Sequence, residues 1–309
     1  MHCARDAIGC TRCAKMRRNP GTSAAPAVRM RPRTILCPID FSPGSRYALR
    51  VAIRLANESG APLVLVHAWF VPAATAGGDP PMLGVTMQAL VDDAQRGLTD
   101  ALTEVKRAGV EHVTSQLVTG PPAERVASIA TPRDLIVMGT HGRTGLSRVL
   151  LGSVAERVVR HAPCSVLIAR EHGEPRAYRH LLVPVDFSEA SRRALDEAGD
   201  LATRTGATVT LLHVLERVSA SSLLAADQGA TALLDDWAEL IERKTQTQVT
   251  RMIRTGTASH QALSVAAEDP SIDLIIVGSR GRTGLSRLLI GSVAERIVRH
   301  ATGAVLIAR

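Results

Sequence analysis

Two segments of the chain combine glycine, serine and the start of a helix in a spacing that suits phosphate groups. The pattern G-x-x-G-x9-G-S occurs once in each half. Glycine lets a backbone approach phosphates closely, and the serine begins an amphipathic helix whose N–H groups and positive dipole end face the same point. The pattern therefore predicts two phosphate-binding loops. Their residues are Gly139, Gly142, Gly152 and Ser153, and in the second half Gly278, Gly281, Gly291 and Ser292.

A carboxylate follows the first apolar segment of each half. Asp40 lies in the segment Pro38–Ser42, and Asp186 lies in the matching segment Pro184–Ser188. Ligands of doubly wound sheets bind at the carboxyl ends of the strands, where the strand order reverses. If the first and fourth strands are neighbours there, Asp40 and Gly139 face one crevice, and the carboxylate can accept hydrogen bonds from a ribose or a base.

The same residues also have a purely structural interpretation. The glycines would then form a tight strand-to-helix turn, Ser153 would cap the helix, and Asp40 would hold a turn. The segments Gly142–Ala162 and Gly281–Ala301 are identical at 18 of 21 positions. Helix packing needs only a matching apolar pattern, so identity at polar and glycine positions favours the binding interpretation.

The motifs of several enzyme classes are absent from the sequence. Neither half contains the Walker pattern G-x-x-x-x-G-K-[ST], the nucleophile elbow G-x-S-x-G or a pair of metal ligands, and G-x-G-x-x-G does not follow the first strand. His67 and His213, at the ends of the second strands, are interpreted as core or rim histidines. A phosphate site without an evident base favours binding over rapid hydrolysis, so no catalytic residue is predicted.

Each half alternates short apolar segments with longer amphipathic ones. This order predicts a doubly wound α/β fold with a parallel sheet, and the continuous apolar segments predict strands covered on both faces. Ser42 and Ser188 are predicted to cap the first helices, which end near Gly60 and Gly206. The predicted strands are Thr34–Asp40, Leu63–Ala68, Val113–Val118, Leu135–Gly139 and Ser165–Ala169, then His180–Asp186, Thr208–Val214, Thr247–Ile253, Leu274–Gly278 and Ala304–Ala308.

The repeat also predicts the domain organisation. Residues 1–30 form a disordered basic tail, residues 31–171 and 177–309 form the two domains, and Glu171–Arg176 is a polar linker. Because Met30 directly precedes the first strand, a start codon misassigned upstream is an open alternative. The second half lacks seven residues after its second strand, opposite the Pro-, Ala- and Gly-rich segment Val71–Gly84, which is predicted to be a mobile loop.

Composition argues against several partners. Of the net charge of +8, five units lie in the tail, and aromatic residues make up 2% of the chain, so nucleic acid is a weak candidate. No apolar run reaches the roughly 18 residues that a membrane span needs. Cys37 and Cys164 are predicted to be core residues. The cysteines of the tail lack a recognised zinc spacing, and nothing suggests disulfides, so a cytoplasmic protein is expected.

These motifs resemble the universal stress protein family in its tandem form, over Arg33 to Arg309. The resemblance rests on P-x-D-F-S, on the second strand that ends in histidine, and on G-x-x-G-x9-G-S followed by V-A-E-R. It implies a five-stranded parallel sheet with helices on both faces in each half. It also implies that ATP, with or without Mg²⁺, is the bound cofactor.

The resemblance further implies which residues contact the nucleotide. The two aspartates would meet the nucleoside, backbone groups of Ala68 and Val214 the adenine, and the glycines and serines the phosphates. Ala68 replaces the bulkier residue of the second half, and Pro163 has no proline counterpart there, which affects the pocket and last strand. The implied residues are Pro38, Asp40, Ala68, Met138, Gly139, Gly142, Gly152, Ser153 and Val154, then Pro184, Asp186, Val214, Val277, Gly278, Gly281, Gly291, Ser292 and Val293.

The function implied is that of a nucleotide-dependent regulator of stress or dormancy survival, with at most slow hydrolysis. A nucleotide-hydrolysing or nucleotidyl-transferring enzyme and a non-binding interaction scaffold remain alternatives, and AMP or cyclic AMP could replace ATP. The last strands, Ser165–Ala169 and Ala304–Ala308, would pair with each other and give an internal pseudo-dimer. A homodimer, the protein partners and the occupancy of each site are left open.

Overall fold

The computed structural model describes residues 32–70, 80–140, 151–171, 173–216, 223–281 and 290–309. The strands are β1 (Ile35–Pro38), β2 (Leu63–Trp69), β3 (Val113–Thr119), β4 (Leu135–Gly139), β5 (Ser165–Ala169), β6 (His180–Val185), β7 (Thr208–Leu215), β8 (Val249–Thr255), β9 (Leu274–Gly278) and β10 (Ala304–Ala308). The helices are α1 (Pro43–Ser59), α2 (Pro80–Arg107), α3 (Pro122–Ile129), α4 (Ser153–His161), α5 (Glu189–Thr205), α6 (Leu223–Thr245), α7 (Ala258–Glu268) and α8 (Ser292–His300).

The strands form a single ten-stranded sheet in the order β3-β2-β1-β4-β5-β10-β9-β6-β7-β8. All strand pairs within each half are parallel, and the halves join through an antiparallel pairing of β5 with β10. Strand order reverses between β1 and β4 and again between β6 and β9. The predicted doubly wound fold, with five parallel strands in each half, is confirmed, and the expected pairing of the two last strands is observed.

Helices cover both faces of this sheet. Buried side chains of α1, α2, α5 and α6 pack on one face, and those of α3, α4, α7 and α8 pack on the other. The inner strands β5, β9 and β10 are buried along their whole length. The prediction of strands covered on both faces was wrong for β3 and β8, whose residues are mostly half-buried or exposed, because these strands lie at the two ends of the sheet.

The first helix of each half begins and ends as its sequence predicts. The Ser42 side chain accepts a hydrogen bond from the N–H of Ser45, and Ser188 does the same for Ser191. The helices end at Gly60 and Gly206, whose φ angles of 69° and 68° lie in the left-handed region. Only glycine adopts that region without a steric penalty from Cβ, which explains the helix ends.

We expect Gly206→Ala to lower the free energy of unfolding by about 1 kcal/mol, because a Cβ is strained at positive φ. The control is Gly229→Ala inside α6, where a Cβ would meet nothing within 4 Å. That change should stabilise the fold by about 0.5–1 kcal/mol, because alanine is the better helix former. Urea unfolding of both variants measures the difference, and shifts of equal sign would contradict the assignment of the cap.

The junction between the halves has approximate twofold symmetry. Arg170 of the first half donates to the carbonyl of Val298 at 2.5 Å, and Arg309 of the second half donates to the carbonyl of Val159 at 2.5 Å. Each guanidinium therefore offsets the partial negative charge of the free carbonyl groups in the last turn of a helix in the other half. Two ion pairs also cross this junction: Arg160 pairs with Glu295, and Arg299 pairs with Glu156, each with an N–O distance of 3.8 Å.

Two helices differ in length from their counterparts in the other half. Helix α2 has 28 residues and its counterpart α6 has 23, whereas α3 has 8 residues and its counterpart α7 has 11. The prediction of a loop over Val71–Gly84 was wrong for Pro80–Gly84, which form the start of α2. Residues 71–79 lie outside the described residues, as does the predicted tail.

Both core cysteines are buried, as predicted, and their thiols are free. Burial raises the pKa of Cys37 and that of Cys164 to about 12, so both thiols stay protonated and unreactive at neutral pH. Over the described ranges, no helix has both the length and the apolar character that a membrane span requires.

Candidate functional site

The carboxyl ends of two neighbouring strands meet in each half, as the sequence requires for a binding crevice. Strands β1 and β4 pair from Ile35 opposite Leu135, so Asp40, just after β1, and Gly139, the last residue of β4, lie at the same edge of the sheet. The second half repeats the arrangement with β6 and β9. Because the strand order reverses at these two points, each half has its own topological switch point.

The aspartate of each crevice is held by a turn of its own. Asp40 Oδ1 accepts hydrogen bonds from the Ser42 N–H at 3.1 Å and from Ser42 Oγ at 2.5 Å, and the Asp40 N–H donates to Ser45 Oγ at 3.3 Å. In the second half, Asp186 Oδ1 accepts from the Ser188 N–H at 3.0 Å and from Ser191 Oγ at 2.8 Å. The alternative in which the aspartate holds a turn is therefore correct for Oδ1. The hydrogen bonds to this oxygen fix the orientation of the half-buried carboxylate.

The residue after each aspartate has an unusual backbone conformation. Phe41 and Phe187 have φ angles of 64° and 62°, a region that costs an aromatic residue about 1–3 kcal/mol. Each ring lies against a histidine, with centroid distances of 4.7 Å for Phe41 and His67 and 4.6 Å for Phe187 and His213. The same strained turn occurs in both halves, next to the candidate carboxylate, which supports a role in positioning it.

The two histidines belong to the core, as predicted. His67 Nδ1 is 2.6 Å from the Ile39 carbonyl oxygen, and His213 Nδ1 is 2.8 Å from that of Val185. Both side chains are buried. Each imidazole therefore ties the end of its second strand to the segment that carries the aspartate.

We expect His67→Ala to lower the free energy of unfolding by about 3 kcal/mol, because it leaves a buried carbonyl unpaired and removes a stacked ring. The exposed His260 of α7 provides the control, and His260→Ala should change stability by less than about 0.5 kcal/mol. Urea unfolding gives both values. Unchanged stability of His67→Ala, with ligand binding lost, would show that the imidazole acts on the ligand instead.

The glycine that ends the fourth strand has a packing role that the sequence did not reveal. A Cβ on Gly139 would lie 2.7 Å from the Gly44 carbonyl oxygen, and one on Gly278 would lie 2.5 Å from the carbonyl carbon and oxygen of Ala190. Both contacts are with the backbone of the first helix of the same half. These two glycines therefore let the first helix approach the end of the fourth strand, whether or not a ligand is bound.

The other two glycines of the second phosphate loop, Gly281 and Gly291, lie at the crevice itself. A Cβ on Gly281 would lie 3.1 Å from Asp186 Oδ2, and one on Gly291 would lie 3.3 Å from the Arg280 Cα and 3.5 Å from the Gly281 N. The Gly291 N–H donates to the Ser279 carbonyl at 2.8 Å, which closes the loop. The two glycines and the aspartate are thus adjacent. Side chains at these glycine positions would fill the space between them.

The first half shows the same closure of the loop. The Gly152 N–H donates to the Thr140 carbonyl at 2.8 Å, matching the bond in the second half. Gly142 lies outside the described residues, together with Arg143, Arg148, Arg282 and Arg287 of the two loops.

The last helix of each half begins directly after the last glycine of the phosphate loop. The cap positions are Gly152 and Gly291, which have no side chain to bond the first turn. Ser153 and Ser292 are the first helical residues and are exposed, so the alternative that Ser153 caps the helix was wrong. The N–H groups of a helix start have no partner within the helix and remain available to an anion.

The remaining residues implied by the resemblance lie on three adjacent strands and at the helix start. Pro38, Ala68 and Met138 lie at or near the carboxyl ends of β1, β2 and β4, and only Met138 is fully buried. Their counterparts Pro184, Val214 and Val277 lie at the ends of β6, β7 and β9. Val154 and Val293 are the second residues of α4 and α8, where Val154 is exposed and Val293 is half-buried.

Sequence reasoning missed one residue in each turn. Ser45 and Ser191 bond the backbone N–H of the aspartate and, in the second half, its carboxylate. The spacing S-x-x-S occurs in both first helices and could have indicated them. Over the part of the chain that the structure describes, no three His, Cys, Asp or Glu side chains are grouped to hold a metal ion.

Comparison with known proteins gives the same organisation. A model of the universal stress protein family matches residues 32–170 and again residues 177–309. The universal stress protein Rv2623 of Mycobacterium tuberculosis is 32% identical over 290 residues, which cover 89% of this chain and 96% of that protein. Universal stress protein Rv2005c of the same organism is 30% identical over 267 residues, covering 80% of this chain and 87% of that protein.

A solved structure with similar architecture confirms the fold. The crystal structure of a universal stress protein from Archaeoglobus fulgidus has a TM-score of 0.71, covers 90% of this chain and 99% of its own, and is 22% identical. At that identity the likeness concerns the fold alone. The two successive matches to one family model account for the internal repeat.

Proposed function

Because this chain belongs to the universal stress protein family, we propose that it binds an adenine nucleotide, ATP in the first instance, in the crevice of each half. The protein would act as a nucleotide-dependent regulator in a stress or dormancy response, with at most slow hydrolysis. The cytoplasm is its proposed location.

One observation carries the proposal. In the second half, Gly281 lies against the Asp186 carboxylate, and Gly291, which caps a helix, lies against Gly281. The absence of side chains at both glycines leaves room beside a fixed carboxylate at a helix N-terminus. This combination suits a ligand with phosphates at one end and hydroxyl groups at the other.

The roles of the chain's own groups follow from their placement. Backbone N–H groups at Ser153 and Ser292 would donate to phosphate oxygens, where the helix dipole adds attraction. Asp40 and Asp186 would accept hydrogen bonds from the ribose hydroxyls. With one such carboxylate in each crevice, Mg²⁺ would be bound mainly through the phosphates and would neutralise part of their charge.

The same geometry favours binding over fast chemistry. A hydrolase needs a group that activates or orients water within hydrogen-bond reach of the phosphate. His67 and His213, which lie against the phenylalanines that follow the aspartates, are each bonded to a backbone carbonyl through Nδ1. Among the described residues of each crevice, neither of these histidines is placed as a base that would cleave the nucleotide.

The decisive experiment is to boil the purified full chain and identify the released small molecules by chromatography and mass spectrometry. An adenine nucleotide near two equivalents per chain, together with a thermal shift on adding ATP, supports the proposal. Finding no nucleotide and no thermal shift at millimolar ATP would show an interaction scaffold instead. Release of AMP or cyclic AMP would change the assigned nucleotide and keep the site.

The same preparation distinguishes the enzymatic alternative. Steady turnover of ATP with Mg²⁺ that collapses on Asp40→Ala, at rates of ordinary enzymes, would contradict a binding function. We expect at most a slow rate that this substitution lowers together with binding.

A further inference from the structure

A cavity of about 60 Å³ lies where the two halves meet, between α1 and α5. It adjoins the amino ends of β1 and β4, so it is separate from the crevices at the carboxyl ends. By volume it holds roughly four water molecules or a ligand of a few heavy atoms. Its apolar wall includes Ile35, Tyr178 and three pairs of leucines that are equivalent in the repeat, namely Leu55 and Leu201, Leu135 and Leu274, and Leu167 and Leu306.

The polar wall of this cavity breaks the symmetry of the repeat. Ser165 of β5 donates through Oγ to Glu197 Oε1 of α5 at 2.9 Å, and both residues line the cavity. In the repeat, Ala304 is equivalent to Ser165 and Val51 is equivalent to Glu197, and both are buried beside a neighbouring groove. The same fold therefore accepts an apolar pair at these positions, and construction of the junction does not require a carboxylate there.

The charge of Glu197 is poorly compensated by its surroundings. Removal from water raises the pKa of its carboxyl, and the hydrogen bond from Ser165 and the charge of Arg204 oppose this less strongly. The nearby carboxylates of Asp196 and Asp200 raise that pKa further. Glu197 is half-buried beside the leucines of the cavity, where a cation that brings its own apolar part can approach the carboxylate.

A second carboxylate lines the same cavity. Asp134 is 7% exposed, and its Oδ2 accepts bonds from the N–H and hydroxyl of Thr131 at 2.7 and 2.8 Å. Its Oδ1 is buried and has no hydrogen-bond partner among the described residues. Arg309, which also lines the cavity, instead directs Nη2 to the carbonyls of Val159 and Arg160. Glu58, Arg133 and Arg204 complete the charged lining.

We propose that this cavity binds a small organic ammonium ion, with its charged head on the Glu197 carboxylate and its short alkyl part against the leucines. The site is independent of the nucleotide crevices. An ammonium head can donate to Glu197 while Ser165 keeps its bond, because the carboxylate has two oxygens. An alkyl chain of two or three carbons fits the volume, whereas longer amines exceed it.

The test is a titration of the full chain with propylammonium chloride, followed by the methyl NMR signals of its leucines. We expect saturable shifts at Leu55 and Leu201, and at least about tenfold weaker binding in Glu197→Gln, which removes the charge and keeps the shape. Glu189→Gln on the same helix is the matched control, because that side chain is 92% exposed, and it should leave the titration unchanged. Sodium propionate and propanol at equal concentration test whether the ligand must be positively charged, because propionate is an anion and propanol is neutral.

Several results would overturn the proposal. If Glu197→Gln bound propylammonium as tightly as the natural chain, or if propanol caused the same shifts as propylammonium, the carboxylate would not be what recognises the ligand. Leucine signals that do not shift, while Glu197 only takes up a proton as the pH falls, would show a protonation site without a ligand. The double variant Ser165→Ala with Glu197→Val copies the apolar pair of the repeat, so it should fold and fail to bind.

The pH dependence of stability gives an independent readout. Because folding raises the pKa of the Glu197 carboxyl, the proton on it stabilises the fold at low pH, and this contribution is lost as the pH rises through the folded pKa. Glu197→Gln should therefore be relatively more stable than the natural chain above that pH. Added propylammonium should narrow this difference, because it stabilises only the natural chain. A difference that propylammonium leaves unchanged would count against the site.

Discussion

Nucleotide binding should be lost from both halves when Gly142 and Gly281 are replaced by valine in one chain, while the fold is kept. A Cβ on Gly281 would already lie 3.1 Å from Asp186 Oδ2, and the branched side chain would extend into the space assigned to the phosphates. Loss of two hydrogen bonds to a charged group costs about 3 kcal/mol, or roughly a 100-fold weaker affinity. Calorimetric titration with ATP measures it.

The controls separate binding from folding. Gly281 is exposed, so the double variant should unfold within about 1 kcal/mol of the natural chain. Gly303 lies away from the crevice, and a Cβ there would have only the Asp273 carbonyl oxygen within 4 Å, at 3.8 Å. The control variant Gly303→Val should therefore bind ATP normally. An unchanged affinity in the double variant would refute the assignment of these glycines to the phosphates.

Gly278→Ala should have the opposite character and destabilise the fold. The added Cβ would lie 2.5 Å from the carbonyl carbon and oxygen of Ala190 and 2.8 Å from the Ser191 N, and backbone atoms cannot move aside as a flexible side chain can. We expect a loss of about 3 kcal/mol or more in the free energy of unfolding. Guanidinium unfolding of the variant measures the loss directly.

Two further variants make that prediction specific. Gly139→Ala should produce a similar loss in the first half, where a Cβ would lie 2.7 Å from the Gly44 carbonyl oxygen. Gly303→Ala should change stability by less than about 0.5 kcal/mol. If Gly278→Ala had the same free energy of unfolding as Gly303→Ala and lost only nucleotide affinity, then close packing against the first helix would not explain why position 278 is a glycine.

The sequence predicted the architecture well, because its signals are local and repeated. The apolar strand segments, Ser42 with Gly60, and Ser188 with Gly206 act through the bonds of their own element, and the structure reproduces each of them. The pairing of β5 with β10 is a contact between distant segments, and it was expected from the family resemblance alone.

The site was predicted less completely, because its geometry depends on contacts that spacing does not encode. The sequence suggests one role for all the loop glycines, yet Gly278 contacts a helix backbone while Gly281 faces a carboxylate. Phe41, at positive φ, lies against the ring of His67, which is 26 positions further along the chain. The exposure of β3 and β8 follows from their place at the ends of the sheet, which no local pattern reveals.

The antiparallel pairing of β5 with β10 also determines how the protein responds to dilution. When two separate chains pair through such strands, the paired fraction falls as the concentration falls. Here both strands belong to one polypeptide, joined through the segment Glu171–Arg176, so their encounter is unimolecular and its extent is the same at any concentration. Two crevices are thereby supplied at a fixed ratio even when few copies of the protein are present.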